Sequence, residues 1–273
     1  MKTLVHLSDL HVGRDGETRR RVSALGDALL AAAVDHVVVT GNLTWSGLDS
    51  DLATFRSIFA PMQSKDGLTA VPGNHDRIGH DLACAIQPGP RVSVVSAAGL
   101  HMVRFDSTGP EYVAVPRERG RMTDDDVVVI GDAIAAAPAG TLVVLLMHHP
   151  VLPLLDEHAP ERLLSWLGRG YDREMERGHR LIQTLRGRCD LLLHGQGGTP
   201  RTVTPFPEDA RPLSVFSAGS SAELGRVRVF SHEEGQLLGP PAWLTVSSLN
   251  PTETAAPRRL RPAHADFVSP MVG

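Results

Sequence analysis

The residue pattern predicts an α/β protein in which two sheets stack against each other and helices cover them outside. Early in the chain, short β-branched runs alternate with amphipathic segments of helical period, as in βαβ units. Late in the chain, short strand-like runs follow one another with no helical period between them. Several of the predicted strands also end in short polar motifs, which is where ligand sites form in layered α/β proteins.

Taken in order, residues 3–7 form an apolar strand that stops at Ser8-Asp9-Leu10-His11. Residues 17–33 carry Val22, Leu25, Leu29 and Ala33 at a helical period. The β-branched run 36–40 is a short buried strand that Gly41 breaks. A helix over 51–59 is expected to stop before Pro61, and a strand over 68–71 is cut by Pro72-Gly73. Residues 92–96 and 101–106 read as an antiparallel pair across a short connection. Thr123-x-x-Asp126 is a capping-box pattern opening a helix to about Ala136. The most apolar strand spans 141–147, then come a helix over 173–185 and a strand over 191–194. Short strands are expected at 213–218, 226–230 and 243–246. From Ser247 on, Pro251, Pro257, Pro262 and Pro270 interrupt a segment without periodicity. We expect one domain over 1–246 and an extended tail over 247–273.

At 273 residues, with 42% hydrophobic and 21% charged residues, the chain can bury a full core and does not resemble a disordered one. Lys+Arg number 27 against 31 Asp+Glu, so a nucleic-acid polymer or an anionic membrane would lack its usual electrostatic pull. Cys84 and Cys189 make no disulfide framework and no CxxC. No apolar run approaches the ~20 residues that span a bilayer, and the first strand is too short for a signal-peptide core. The expected location is the cytoplasm; nothing in the sequence sets the oligomeric state.

The strand-end motifs carry the chemistry. Asp9-x-His11 places a carboxylate and an imidazole two residues apart, on one side of an extended segment, where they can share a cation. Gly73-Asn74-His75-Asp76 packs a neutral oxygen, an imidazole and a carboxylate behind a Pro-Gly turn, and Asp76 next to His75 is placed to fix its tautomer. A turn built on Asn and Asp is the plainer account of the same residues. His148-His149-Pro150 brings two histidines to the end of the most apolar strand. Trp45 is suited either to stacking on a base or to ordinary packing.

In their order along the chain, Ser8-Asp9-Leu10-His11, Thr40-Gly41-Asn42-Leu43-Thr44, Pro72-Gly73-Asn74-His75-Asp76, Met147-His148-His149-Pro150 and Leu192-Leu193-His194-Gly195-Gln196-Gly197-Gly198 resemble the calcineurin-like metallophosphoesterases, and among them the bacterial class III cyclic-nucleotide phosphodiesterases. The resemblance spans about residues 3–238 and implies a four-layer α-β-β-α sandwich of two mixed sheets. It implies that Asp9 and His11 bind a first metal, that Asn74 and His148 bind a second, and that His75, oriented by Asp76, meets the phosphate or protonates the leaving oxygen. It also implies a loss. Asn42 stands where the family has its bridging aspartate, and Gln196 and Gly198 stand where it has two histidines. Two dications about 3.5 Å apart repel strongly, since even unit charges there interact by ~5 kcal/mol at an effective dielectric of about 20. Neutral amide oxygens offset little of that.

The expectation is a divalent metal (Mn, Fe or Zn) bound at most once, or none. The expected function is hydrolysis of a small phosphomonoester or phosphodiester by a reduced site. The alternatives are an inactive pseudophosphatase that binds a phosphorylated ligand or a protein partner, and a metal-independent enzyme that reuses the cleft.

Overall fold

A computed structural model describes residues 1–109, 120–151 and 169–246. The tail expected over 247–273 lies outside the described residues.

The first half of the chain builds β1 (Lys2–Leu7), α1 (Gly16–Ala31), β2 (His36–Thr40), α2 (Asp49–Gln63), β3 (Leu68–Val71), a 3₁₀ turn (His75–Arg77), α3 (Ala83–Ile86), β4 (Val92–Ala97) and β5 (Leu100–Phe105). The second half adds α4 (Asp124–Ala135), β6 (Leu142–Met147), α5 (Arg169–Leu185), β7 (Leu191–His194), β8 (Arg201–Val203), β9 (Ser214–Ser217), α6 (Ser221–Leu224), β10 (Arg226–Glu233), β11 (Gln236–Leu237) and β12 (Ala242–Thr245). One sheet runs β11-β10-β1-β2-β3, with β12 also paired to β10; the other runs β4-β5-β6-β7-β9-β8. Both are mixed. Strands β1, β2 and β3 are parallel while β10 opposes β1. Strands β5, β6, β7 and β9 are parallel while β4 and β8 oppose their neighbours at the two edges.

Side-chain alternation sets the layers. Val37 and Val39 pack towards α1 and α2, with Val22, Leu25, Leu29, Leu52 and Phe55. Val38 turns the other way and meets Leu4, Leu100, Met102, Val144 and Leu146 between the sheets. On the far side, Val143 and Leu145 pack under Ile130 and Ile134 of α4 and Leu181 of α5. Helix, sheet, sheet and helix follow as four layers, as the sequence pattern and the family resemblance both implied.

Two helix ends are informative. The capping box at Thr123 forms in full, with Asp126 N donating to Thr123 Oγ1 at 3.1 Å and Thr123 N to Asp126 Oδ2 at 2.8 Å. Helix α2 does not stop at Pro61 as expected; it runs on to Gln63. A proline in the last turn removes one hydrogen bond, and the turn still closes through Ser64 N to Ala60 O at 3.0 Å while Met62 is buried.

The inter-sheet layer also holds histidines. His6 and His36 lie in phase with Leu4 and Val38, and each Nε2 meets a threonine hydroxyl, Thr40 and Thr69 respectively, at 2.9 Å. Burial pulls His36 down to about 4, so it is neutral in the fold at pH 7. Its folded value lies below the unfolded one. The stability it contributes is therefore complete above about pH 6.5 and is lost as pH falls towards 4, by up to about 3 kcal/mol. Urea unfolding of His36→Gln at pH 7 and pH 4 should show that much less acid destabilisation than the parent. An equal loss in both proteins would place the acid sensitivity elsewhere.

Candidate functional site

Strand register brings the polar motifs to one edge of the sandwich. Leu7 pairs with Val39 and Met147 with His194, so each sheet presents its motifs level with one another. The Thr40 carbonyl accepts from Ser8 Oγ at 2.9 Å and from His148 Nδ1 at 2.8 Å, joining the two sheets at the cleft. Asp9, His11, Asn42 and Gln196 all adopt left-handed backbone, with φ of 53°, 48°, 52° and 49°. Such non-glycine residues cost of order 1 kcal/mol or more each and persist only where their surroundings over-determine them. Here Asp9 N donates to Gly41 O at 3.1 Å and His11 N to Asn42 O at 2.9 Å. Asp9 and His11 are therefore not on an extended segment, as their spacing had suggested. Strand β1 ends at Leu7, and a turn brings His11 Nε2 to 3.8 Å from Asp9 Oδ1.

Asp9 is the acidic centre of the cleft. Its Oδ1 accepts from Asn42 Nδ2 at 2.9 Å, and its Oδ2 from Ser8 Oγ at 2.9 Å and Gln196 N at 3.1 Å. Burial pushes its pKa up, and the nearby His148 and these donors act against that. Asn42 is engaged at both ends of its amide, because Oδ1 accepts from His75 N at 3.0 Å. His11 is pulled down to about 3, first by burial and then by His75, His148 and Arg14, which leaves a neutral imidazole able to act as a ligand.

Across the cleft, His148 Nδ1 donates to the Thr40 carbonyl at 2.8 Å, and Nε2 faces Asn74 Oδ1 at 3.0 Å. Nε2 and the Asn74 amide are thus close enough to hydrogen-bond or to share a cation.

His75 lies beside these groups, its ring 4.6 Å from His11 and 4.8 Å from the half-exposed Trp45. Its expected partner is wrong. His75 Nδ1 donates to the Trp45 carbonyl at 2.6 Å, whereas the buried Asp76 carboxylate accepts from Gly73 N at 2.8 Å, Thr44 N at 2.8 Å, Thr44 Oγ1 at 2.8 Å and Leu43 N at 3.3 Å. On a 3₁₀ turn, successive side chains diverge, so Asp76 ties the Asn42 loop to the Asn74 loop and does not orient His75.

Gln196 reaches the cleft through its backbone N–H, and a Cβ on Gly198 would meet no atom within 4 Å. Among the described residues, four other histidines lie in settings of their own. His149 Nδ1 is held by Ser107 Oγ at 2.9 Å, His194 Nδ1 by Gly195 O at 2.8 Å and His80 Nδ1 by Asp49 at 2.6 Å, while His179 sits on the exposed side of α5. Among the described residues, no group of three or more His, Cys, Asp or Glu gathers in metal-holding geometry. Two pairs stand close together in the cleft, Asp9 with His11 and Asn74 with His148.

No motif in the sequence pointed to Ser220 and Ser221. Ser221 Oγ accepts from Ser8 N at 3.0 Å and Ser220 Oγ donates to Asp9 O at 3.2 Å, fixing the Asp9 turn from more than 200 positions away.

Compared with known proteins, residues 2–195 match the family model of the calcineurin-like phosphoesterases. A probable cyclic nucleotide phosphodiesterase of Rhodococcus erythropolis is 26% identical over 82% of this chain and 75% of its own length. The 3',5'-cyclic adenosine monophosphate phosphodiesterase CpdA of Vibrio vulnificus is 24% identical over 57% of this chain and 59% of its own. Among solved structures, a dimetal phosphatase from Danio rerio superposes with a TM-score of 0.59 at 11% identity, over 90% of this chain and 99% of that one.

The closeness of the turns gives a direct test. A Cβ on Gly195 would fall 2.1 Å from Ser8 Oγ and 2.5 Å from Thr40 O. Gly195→Ala should destabilise the protein by about 1–3 kcal/mol or more, while Gly198→Ala stays within about 0.5 kcal/mol of the parent. Denaturant midpoints of the two variants check this, and equal values would mean that the turns are not tightly packed.

Proposed function

Because the chain belongs to the calcineurin-like phosphoesterase family, we propose that it hydrolyses a small phosphomonoester or phosphodiester with at most one divalent cation, Mn, Fe or Zn. Family membership implies a divalent cation in general; its single occupancy is our inference. The observation that carries it is the 2.9 Å hydrogen bond from Asn42 Nδ2 to Asp9 Oδ1. An amide that donates to Asp9 supplies internally the positive partner that a bridging carboxylate would need from two metals.

Asp9 and His11, with Asn74 and His148 across the cleft, are the residues we assign to hold the cation, while Asn42, whose amide is engaged with Asp9 and His75 N, and Gln196, which meets Asp9 through its backbone N–H, are weak or lost ligands. When bound there, the cation supplies Lewis-acid activation of water and neutralises phosphoryl charge. His75, with Nδ1 fixed on the Trp45 carbonyl, keeps Nε2 for the substrate; as an imidazolium it offers that proton to a leaving oxygen. Asn74 and Trp45 complete the substrate contacts, Trp45 as a flat face beside His75 suited to a base. The two relatives named for cyclic nucleotides support a small phosphorylated substrate of that class. The acidic balance of the chain argues against a nucleic-acid polymer, and no helix among the described residues is long and apolar enough to cross a membrane, in keeping with a cytoplasmic place of work.

A second reading has its own support. With no three-ligand group among the described residues, the cleft also suits a pseudophosphatase that binds a phosphorylated ligand without turnover.

Metal analysis of the purified protein, coupled to Mn²⁺-dependent hydrolysis of bis-p-nitrophenyl phosphate and cyclic AMP, separates the two. About one cation per chain with turnover supports the enzyme, none with no turnover supports the pseudoenzyme, and two per chain refutes the ligand-loss argument.

In the enzyme, His75→Ala lowers the rate by about 10²–10⁴-fold, and an unchanged rate removes His75 from the chemistry. The triple variant Asn42→Asp, Gln196→His, Gly198→His should bind Mn²⁺ far more tightly than the parent. In chelator it should be less stable, because two carboxylates then face each other; unit charges at about 3 Å repel by about 5 kcal/mol at an effective dielectric of about 20. Equal Mn²⁺ affinity in the two proteins would show the ligand positions to be misassigned.

A further inference from the structure

A cavity of about 160 Å³ opens at the lateral edge of the sandwich, between α2, β3, α3 and the inward side of β4 and β5. Leu43, Leu52, Phe55, Leu68, Ile86 and Val95 give it apolar walls on one side, and Arg56, Arg104, Gln63 and Thr69 add polar groups. No carboxylate lines it.

Arg104 is in phase with Leu100 and Met102, which pack between the sheets, and out of phase with Val103 and Phe105, which face α4. Its side chain therefore enters the inter-sheet space. Its Nε is buried without a partner, and among the described residues no hydrogen bond or ion pair reaches its guanidinium. Burial pulls its pKa down, with no opposing cause. Arg77, Arg91 and Arg211, also partly buried, are matched by carboxylates, Arg77 by Asp81 and Asp106, Arg91 by Asp126 and Arg211 by Asp190. The deeply buried Arg228, which has no carboxylate, meets the Ser217 carbonyl and the rings of Phe216 and Trp243. Arg104 is partly buried, with its Nε cut off from water and unpartnered; that desolvation is costly, and an anion in the cavity would relieve it. Arg56, at the mouth, uses one donor on Ala85 O at 2.8 Å.

We propose that this cavity binds a small organic carboxylate, its headgroup on Arg104 and its apolar body among Leu52, Phe55 and Leu68. The guanidinium fork matches a carboxylate through two parallel hydrogen bonds. An apolar cavity of about 150 Å³ takes a molecule of benzene's size, which sets the body. The site is separate from the strand-end cleft; of its lining, only Leu43 adjoins a cleft residue.

Benzoate is the probe, with benzamide as its neutral isostere, titrated into the full-length protein by calorimetry and followed by Tm. Saturable one-to-one binding of benzoate, a raised Tm, and affinity at least about tenfold above that of benzamide are expected. In R104M, which replaces an unmatched, partly buried charge by an apolar chain of similar length, the preference for benzoate should vanish; R104K should keep part of it. Equal affinity for benzoate and benzamide in the parent, absence of saturation, or unchanged benzoate affinity in R104M would overturn the proposal. Displacement of benzoate by inorganic phosphate at equal concentration would overturn it too, as an adventitious anion site only. If R104M does not fold by circular dichroism, the parent's benzoate-to-benzamide ratio and R56A decide: a weakened benzoate affinity in R56A supports the site, an unchanged one overturns it.

Discussion

The carbonyl oxygen of Thr40 accepts a hydrogen bond from each sheet, from the Ser8 hydroxyl on one side and the His148 ring on the other. Much of the cleft depends on that double acceptance. It fixes how the His148 ring is turned, and with it the Nε2 that faces Asn74. It also draws the ends of β1, β2 and β6 so close that neighbouring positions have no space for a side chain. A Cβ on Gly41 would fall 2.4 Å from the His148 ring, and one on Gly73 2.2 Å from Asn42 N. Glycines at 41, 73 and 195 are thus a condition of the two sheets meeting, whatever the cleft does chemically.

Asn42 changes the electrostatic character of the cleft. A carboxylate at that position would sit against Asp9 and would need cations to hold the pair together. The amide instead donates to Asp9 and accepts from His75 N, so the turns close on themselves. Asp76 has a similar role deeper in the fold, where its buried carboxylate gathers the N–H groups of Leu43, Thr44 and Gly73. The frame of the site is therefore self-supporting, and its assembly is separable from its chemistry, as is common where one fold carries many functions.

The layers were legible because the long helices bury a face whose period appears in the sequence and the central strands are short β-branched or apolar runs. Val37, Val38 and Val39 are such a run, buried on both faces, and the capping box at Thr123 marks its helix to within a residue. The strand-end motifs likewise announced which residues gather at the cleft. What stayed hidden was direction. Asp76 is the neighbour of His75 in sequence but not in space, because a 3₁₀ turn sends the two side chains apart, and the Trp45 carbonyl that does hold His75 has no side-chain signature. Asp9 and His11 were expected on an extended segment, while their left-handed backbone follows from hydrogen bonds to the Asn42 turn that no local pattern encodes. Ser220 and Ser221 reach Asp9 and Ser8 only through the pairing of β10 with β1.

Trp45 lies half-exposed with its indole 4.8 Å from the His75 imidazole and 5.2 Å from that of His11. An excited indole is quenched by a protonated imidazole at such a distance and relieved when the proton leaves. The cleft thus carries its own optical reporter. A molecule that meets the His75 ring or covers the indole would change the emission of this side chain and announce itself without any label.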